Sequence, residues 1–186
     1  YRFARGETVK SSTGLPARLS RPLDFLVVSD HAENLGLAPM IAESNPELLG
    51  SEFGRKMAEL VKSGKGMQAY DAWGAAMIAR QDPLEGMPIL RTAWERITAA
   101  AERYNEPGRF TAFIGYEWTS SPGGNNLHRN VIYRDAKDKA DQVLPFSQYD
   151  SVDAEDLWQW MANYEKKTGG RLLAIPHNGN LSNGLM

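Results

Sequence analysis

The sequence predicts an α/β fold with a mainly parallel sheet, either doubly wound or part of a (β/α) barrel. Four short apolar stretches have the character of strands, and segments with helical periodicity separate them along the chain. Strands that alternate with helices are typical of parallel sheets covered by helices. In both architectures the functional side chains gather where the strands end, at the carboxyl edge of the sheet.

The predicted strands differ in their apolar pattern. The first, Leu23 to Ser29, is almost continuously apolar, which is typical of a strand buried on both faces. The other three strands are predicted at residues 109–116, 129–133 and 171–176.

The helical segments are predicted from spacing and from end signals. Apolar residues recur at steps of three and four between Pro88 and Tyr104. A second helix is expected to begin after Asp153, a good N-cap, and to end at Gly169 and Gly170. Two further helices fit residues 53–62 and 67–80. Residues 32–104 therefore form a long, largely helical insertion between the first two strands.

Composition limits the classes of function. The chain has 186 residues, of which 42% are hydrophobic and 24% charged, as in an ordinary globular domain. Its 21 basic and 23 acidic residues give a net charge of -2, which argues against nucleic acid as a partner. No apolar run is long enough to span a membrane. Because cysteine is absent, a metal ion would be held by histidine, carboxylate or carbonyl ligands.

Three histidines and one glutamate lie at the ends of the four predicted strands. His31 follows the first strand, Glu117 the second and His177 the fourth, whereas His128 directly precedes the third. Each alone is most simply a hydrogen-bonded loop residue. Together they suggest a metal site, because imidazole is a common ligand of Zn, Mn and Fe and a carboxylate can bridge two ions.

Four nearby residues have more than one interpretation. Asp30 could orient an imidazole from behind or cap the following turn, and Asn178 is a similar supporting candidate. Arg129 could contact a phosphate or make a surface ion pair. Glu33 is expected to be a solvated loop charge, with metal ligation as the less favoured alternative. The loop 120–126 is either an anion-binding set of backbone N–H groups or a plain turn.

Several of these motifs resemble those of the PHP (polymerase and histidinol phosphatase) superfamily. The matching segments are Phe25 to His31, Gly115 to Glu117, His128 before a strand, and Ile175 to Asn178. Longer segments, residues 1–7, 19–25, 30–34 and 126–132, resemble a branch of large bacterial PHP-like proteins that contains a domain of unknown function. The resemblance extends over nearly the whole chain.

The resemblance implies a distorted (β/α)7 TIM-like barrel, of which residues 1–186 would be the central segment. The first and last barrel motifs, His-x-His and Asp-x-His, would lie outside this chain. His31, Glu117, His128 and His177 would be ligands of divalent ions (Zn, Mn, Fe or Mg), with Glu117 as the bridging carboxylate. Because part of the ligand set would be missing, metal binding by the segment alone is expected to be incomplete or absent.

The function implied for the intact protein is metal-dependent hydrolysis of a small-molecule phosphoester by activated water. The isolated segment is expected to be inactive and to self-associate through uncovered strands. Two alternatives remain open: a non-catalytic binding or structural module with a vestigial site, and a barrel hydrolase that cleaves non-phosphate bonds. The compartment is open between the bacterial cytoplasm, the periplasm and the exterior.

Overall fold

The computed structural model describes residues 1–177, 179 and 181–186. A short antiparallel hairpin is formed by β1 (Val9–Lys10) and β2 (Pro16–Ala17). The main sheet has four strands in the order β3-β4-β5-β6. They are β3 (Phe25–Val27), β4 (Thr111–Trp118), β5 (Arg129–Tyr133) and β6 (Leu172–Pro176).

Five helices connect β3 to β4, within the helical insertion predicted for residues 32–104. They are α1 (Leu37–Ala42), α2 (Pro46–Gly50), α3 (Glu52–Lys62), α4 (Gly66–Ala79) and α5 (Ile89–Tyr104). A 3-10 turn, Pro122–Gly124, lies between β4 and β5. Two helices, α6 (Lys137–Ala140) and α7 (Ala154–Thr168), connect β5 to β6. Over the part of the chain that the structure describes, none of these helices is long and apolar enough to cross a membrane.

The strand directions contradict the predicted mainly parallel, TIM-like (β/α)7 barrel. β3 and β4 are parallel, but β5 is antiparallel to both β4 and β6. Within the described ranges the sheet is mixed and does not close into a barrel. The connection between β4 and β5, residues 119–128, is too short for the helical crossover of a dozen or more residues that parallel pairing requires.

The first predicted strand is also less buried than its apolar sequence suggested. β3 forms one edge of the described sheet, and the side chain of Phe25 is 63% exposed. Leu23 and Val28, which flank this short strand, are exposed as well. The expectation of a strand buried on both faces is therefore wrong. β3 lies at the edge of the described sheet, where the side chain of Phe25 remains open to solvent.

The end signals of α7 are confirmed. The carboxylate of Asp153 accepts a hydrogen bond from the N–H of Glu155 at 2.9 Å, which satisfies one of the free donors of the first turn. The helix ends at Gly169, whose φ of 69° is left-handed and suits glycine. Glu165 then accepts a hydrogen bond from the N–H of Leu172 at 3.0 Å, which ties the end of α7 to the start of β6.

The core covers one face of the sheet. Alternate residues of β4, including Tyr116 and Trp118, point to this face and are fully buried. Aromatic side chains from α5 and α7 pack there, with Trp94 5.5 Å from the ring of Tyr133 and Tyr133 5.3 Å from that of Tyr164. The opposite face carries Glu117 and, on β6, the exposed apolar Leu173 and Ile175.

Gly115 allows the close packing of the sheet at the centre of β4. A Cβ atom there would lie 2.5 Å from Cγ2 of Val27 and 2.9 Å from the carbonyl oxygen of Val131. The second contact is with backbone that belongs to the neighbouring strand, so it cannot be relieved by a side-chain rotation.

We therefore expect Gly115→Ala to lower the free energy of unfolding by about 1–3 kcal/mol, the usual cost of overpacking. Gly74→Ala in α4 is the matched control, because its Cβ would meet nothing within 4 Å. Alanine should stabilise that helix by about 0.5–1 kcal/mol. Urea denaturation of both variants measures the difference, and equal stabilities would show that β4 tolerates a side chain at position 115.

Candidate metal centre

Backbone from all four strands meets at one end of the main sheet. Because β5 is antiparallel to its neighbours, its first residue lies at the end where β3, β4 and β6 finish. The N–H of Glu117 donates to the carbonyl of Asp30 at 2.8 Å, and the N–H of Ala32 donates to the carbonyl of Glu117 at 2.9 Å. The N–H of His177 donates to the carbonyl of His128 at 3.0 Å. These bonds fix the backbones that carry the four candidate ligands.

The side chains of the three histidines surround the carboxylate of Glu117. Nδ1 of His128 lies 2.7 Å from Oε1 of Glu117, within hydrogen-bond distance. Nδ1 of His31 is 3.7 Å from Oε1, and Nε2 of His177 is 3.7 Å from Oε2. The rings of His31 and His177 have centroids 6.1 and 6.4 Å from that of His128. The structure therefore brings the four predicted ligands together.

Glu117 is only 5% exposed, yet its surroundings favour the ionised carboxylate. Burial alone would raise the pKa of Glu117. The hydrogen bond from His128 and the charges that His31 and His177 carry when protonated outweigh burial and lower the pKa of this carboxyl group. Glu117 is thus an anionic centre surrounded by nitrogen groups.

Two hydroxyl groups contact the imidazoles and were not among the predicted site residues. Nδ1 of His31 makes a short hydrogen bond with Oγ1 of Thr119. Nε2 of His128 lies 3.3 Å from Oγ of Ser121. Alternate residues of an extended chain point to the same side. Thr119 follows Glu117 by two residues, so its place beside Glu117 could be predicted from the sequence.

Two of the supporting candidates, Asp30 and Arg129, contact the site through backbone groups. Asp30 is exposed and contributes its backbone carbonyl to the site, whereas the Nδ1 of His31 is paired with Thr119. Asn178 lies outside the described residues. Arg129 is buried, and its Nη1 donates to the carbonyls of Leu127 at 2.8 Å and His128 at 3.1 Å. Arg129 thereby holds the backbone that presents His128.

The loop 120–126 uses much of its backbone internally. The N–H groups of Gly124 and Asn125 donate to carbonyls of the same loop, and that of Asn126 donates to Leu181. These three donors are therefore unavailable to an anion, which favours the interpretation of this loop as a structural turn.

Glu33 is buried, contrary to the expected solvated charge, and is only 3% exposed. Its Oε1 accepts hydrogen bonds from the N–H of Gln148 at 2.7 Å and from that of Thr119 at 3.4 Å. Burial raises the pKa of Glu33 to about 7, although these backbone donors act in the opposite direction. Because Glu33 lies in a loop, no periodic pattern of the sequence predicts this burial.

The chemistry of the donor set fits a divalent ion, although the arrangement is not that of a formed site. Imidazole nitrogens and a carboxylate are the ligands that Zn, Mn and Fe accept. However, among residues 1–177, 179 and 181–186, no group of three or more histidine and carboxylate side chains is already arranged to hold an ion. Nδ1 of His128 and Oε1 of Glu117 are bonded directly to each other at 2.7 Å, closer than two ligands of one ion normally lie.

A cavity of about 900 Å³ opens beside two of the imidazoles. Its lining includes His31, His128, Thr119 and Ser121, the turn Pro122–Gly124, and Trp73 of α4. This volume is in the range of small-molecule sites. The imidazoles are therefore accessible to a ligand from the side of α4.

We expect Glu33→Ala to destabilise the protein by about 2–3 kcal/mol, because buried N–H groups of Gln148 and Thr119 would lose their acceptor. Glu33→Gln keeps an acceptor oxygen and should be close to wild type. The control Glu43→Ala removes an exposed ion pair with Arg96 and should cost less than about 1 kcal/mol. Thermal and urea unfolding at one pH compare the three variants. If Glu33→Ala is as mild as Glu43→Ala, Glu33 does not hold these segments together.

Comparison with known proteins adds a family but no activity. The family model described as "Protein of unknown function (DUF3604)" matches residues 1–186. No curated protein and no solved structure matches the chain. These comparisons do not link it to the PHP superfamily, so that resemblance stays a prediction. Because the match covers the whole length, the chain belongs to the DUF3604 family.

Proposed function

We propose that the full-length protein is a divalent-metal-dependent hydrolase and that its substrates are small-molecule phosphoesters. The observation that supports this is the convergence of His31, His128 and His177 on the buried carboxylate of Glu117. A buried carboxyl group with a shifted pKa, among imidazoles that line a cavity, is typical of functional sites.

In this proposal the four side chains hold the ion or ions, with Glu117 as the shared carboxylate. A bound divalent ion supplies activation of water and neutralisation of the phosphoryl oxygens. His31 and His177 are exposed, His128 is partly buried and Glu117 is buried, so the cluster extends from the interior to the surface. Thr119 and Ser121 keep the rings of His31 and His128 in place by hydrogen bonds. The adjoining cavity admits the substrate.

A non-catalytic module is the second candidate, and one observation favours it. His128 is bonded directly to Glu117 and His31 to Thr119, so the polar groups satisfy one another without an ion. Buried polar groups that are mutually hydrogen-bonded are also found in purely structural positions. Metal binding and hydrolysis distinguish the two candidates.

We expect the full-length protein, loaded in turn with Mn²⁺, Zn²⁺ and Mg²⁺, to bind metal and to hydrolyse 4-nitrophenyl phosphate or its diester. Glu117→Gln and His177→Ala should each lower metal content and lower hydrolysis at least 100-fold, because each removes a ligand. Both variants should keep a thermal midpoint close to that of the wild type, since these side chains lie outside the aromatic core. Elemental analysis, colorimetric rates and circular dichroism measure the three quantities.

The matched control is Glu165→Gln, which alters a carboxylate that is paired with Leu172 and Arg171, away from the site. This variant should change the thermal midpoint, but its metal content should equal that of the wild type. A wild-type protein without bound metal or hydrolysis would favour the non-catalytic module. Hydrolysis of 4-nitrophenyl acetate but not of the phosphoesters would keep the metal site and refute the substrate class.

We also propose that copies of these 186 residues associate through the exposed face of the sheet. Phe25 and Leu173 are 63% and 57% exposed, and they lie on the two edge strands of the described sheet. Edge strands with exposed apolar side chains readily pair with another chain.

The 186-residue chain is therefore expected to sediment as a dimer or larger species at micromolar concentration. Leu173→Lys should shift it towards the monomer, because a charge cannot be buried at the contact. Met67→Lys, which replaces an apolar residue that is 72% exposed on α4, is the control and should not change the distribution. A monomeric wild type, or an equal effect of both variants in sedimentation velocity, would contradict the proposal.

A further inference from the structure

A second cavity, the helical cleft, lies within the insertion between β3 and β4. It has a volume of about 680 Å³ and is bounded by α1, α3, α4 and α5. Its lining is mostly apolar and includes Leu37, Met40, Ile41, Met57, Val61 and Ile97. Cavities of this size and polarity are typical of sites for the apolar parts of small molecules.

The helical cleft adjoins the cavity beside the candidate metal centre. His31, Tyr70 and Trp73 line both the cleft and the cavity that contains His128 and Thr119. The rings of His31 and Trp73 have centroids 6.4 Å apart. A single ligand could therefore extend from His31 past Trp73 into the cleft.

The wall of the cleft at α5 is closely packed, whereas its other side is open. Gly36 has a φ of 80°, and a Cβ atom there would lie 2.6 Å from Cβ of Ala93, so the loop before α1 lies directly against α5. Tyr70 and Val61 of the lining are 61% and 46% exposed. The cleft therefore opens to solvent, and a ligand can enter it.

Charge decides which part of a phosphoester the cleft can accept. Arg96 lines it, but its Nη1 is paired with Oε2 of Glu43 at 2.8 Å. The other charged lining residues, Asp30 and Glu33, are acidic and lie at the end near His31. A phosphoryl group between the helices would find no unpaired cation among the lining residues, whereas an aryl or alkyl group would meet apolar side chains.

We infer that the helical cleft binds the apolar group of the substrate, an aryl or branched alkyl group, while the phosphoryl end lies at the imidazoles. This inference deepens the proposed function and rests on it. It assigns the substrate class as phosphoesters of apolar alcohols or phenols, and it makes Trp73 and the α1 residues determinants of specificity.

The test compares two inert ligands with the same charged group, phenylphosphonate and methylphosphonate, on the metal-loaded full-length protein. Calorimetry should give about tenfold tighter binding of phenylphosphonate, because the phenyl ring is removed from water in the cleft. Ala38→Trp places an indole on an exposed position of the lining and should bring the ratio of the two affinities close to one. Val61→Trp, on α3, tests the same cleft from another side if the first variant does not fold.

The matched control is Ala75→Trp, an exposed position of α4 outside both cavities, which should keep the tenfold ratio. Equal affinities of the wild type for the two phosphonates would overturn the inference. So would an unchanged ratio in folded Ala38→Trp and Val61→Trp.

Naphthalene, followed by its fluorescence, separates failure of this inference from failure of the proposed function. Binding of naphthalene that Ala38→Trp weakens at least fivefold supports an apolar site in the cleft. If naphthalene binds in this way and neither phosphonate does, the phosphoester function is refuted and the assignment of a substrate subsite falls with it. If naphthalene does not bind to the wild type, the cleft is not a ligand site, even where the metal centre hydrolyses phosphoesters.

Discussion

The direction of β5 determines the geometry of the candidate metal centre. In a sheet whose strands all run in one direction, a residue that precedes a strand and a residue that follows one lie at opposite edges. His128 precedes β5, whereas His31, Glu117 and His177 lie at the ends of strands. Because β5 is antiparallel, all four meet at one edge. A parallel β5 would carry His128 to the far side of the sheet and leave Glu117 without its closest partner.

The buried carboxylate of Glu117 loses contact with water, and other groups must compensate for that loss. A carboxylate in a poorly hydrated position is stable only when donors or positive charges replace water. His128 supplies a direct hydrogen bond, and His31 and His177 lie slightly farther away. The same arrangement that compensates for burial also concentrates ligands of the types that bind divalent ions. A structural role of Glu117 and a metal-binding role therefore do not exclude each other, and only a measurement on loaded protein separates them.

The sequence could predict the elements better than their arrangement. The helix that begins after Asp153 was predictable because capping and left-handed glycine depend on local chain conformation. The four strands were found near their predicted positions because runs of apolar residues are also a local feature of the sequence. Strand direction depends instead on the path of the connection. The short loop between the second and third predicted strands already argued against a parallel β5, but the prediction rested on the overall alternation of strands and helices. The burial of Glu33 depends on Gln148, which is 115 residues away in sequence, so no local pattern could reveal it.

Hydrogen bonds at Glu33 connect the candidate metal centre with the helical insertion. Its Oε1 accepts from the N–H of Thr119, whose hydroxyl contacts His31, and from the N–H of Gln148. The side-chain Nε2 of Gln148 donates to the carbonyl of Met77 in α4 at 3.0 Å. The helix that carries Trp73 is thereby tied through buried hydrogen bonds to the loop that orients His31. Loss of any of these bonds would leave an unsatisfied buried group. The position of Trp73 relative to His31 therefore depends in part on the buried carboxyl group of Glu33, although the two residues lie on different elements.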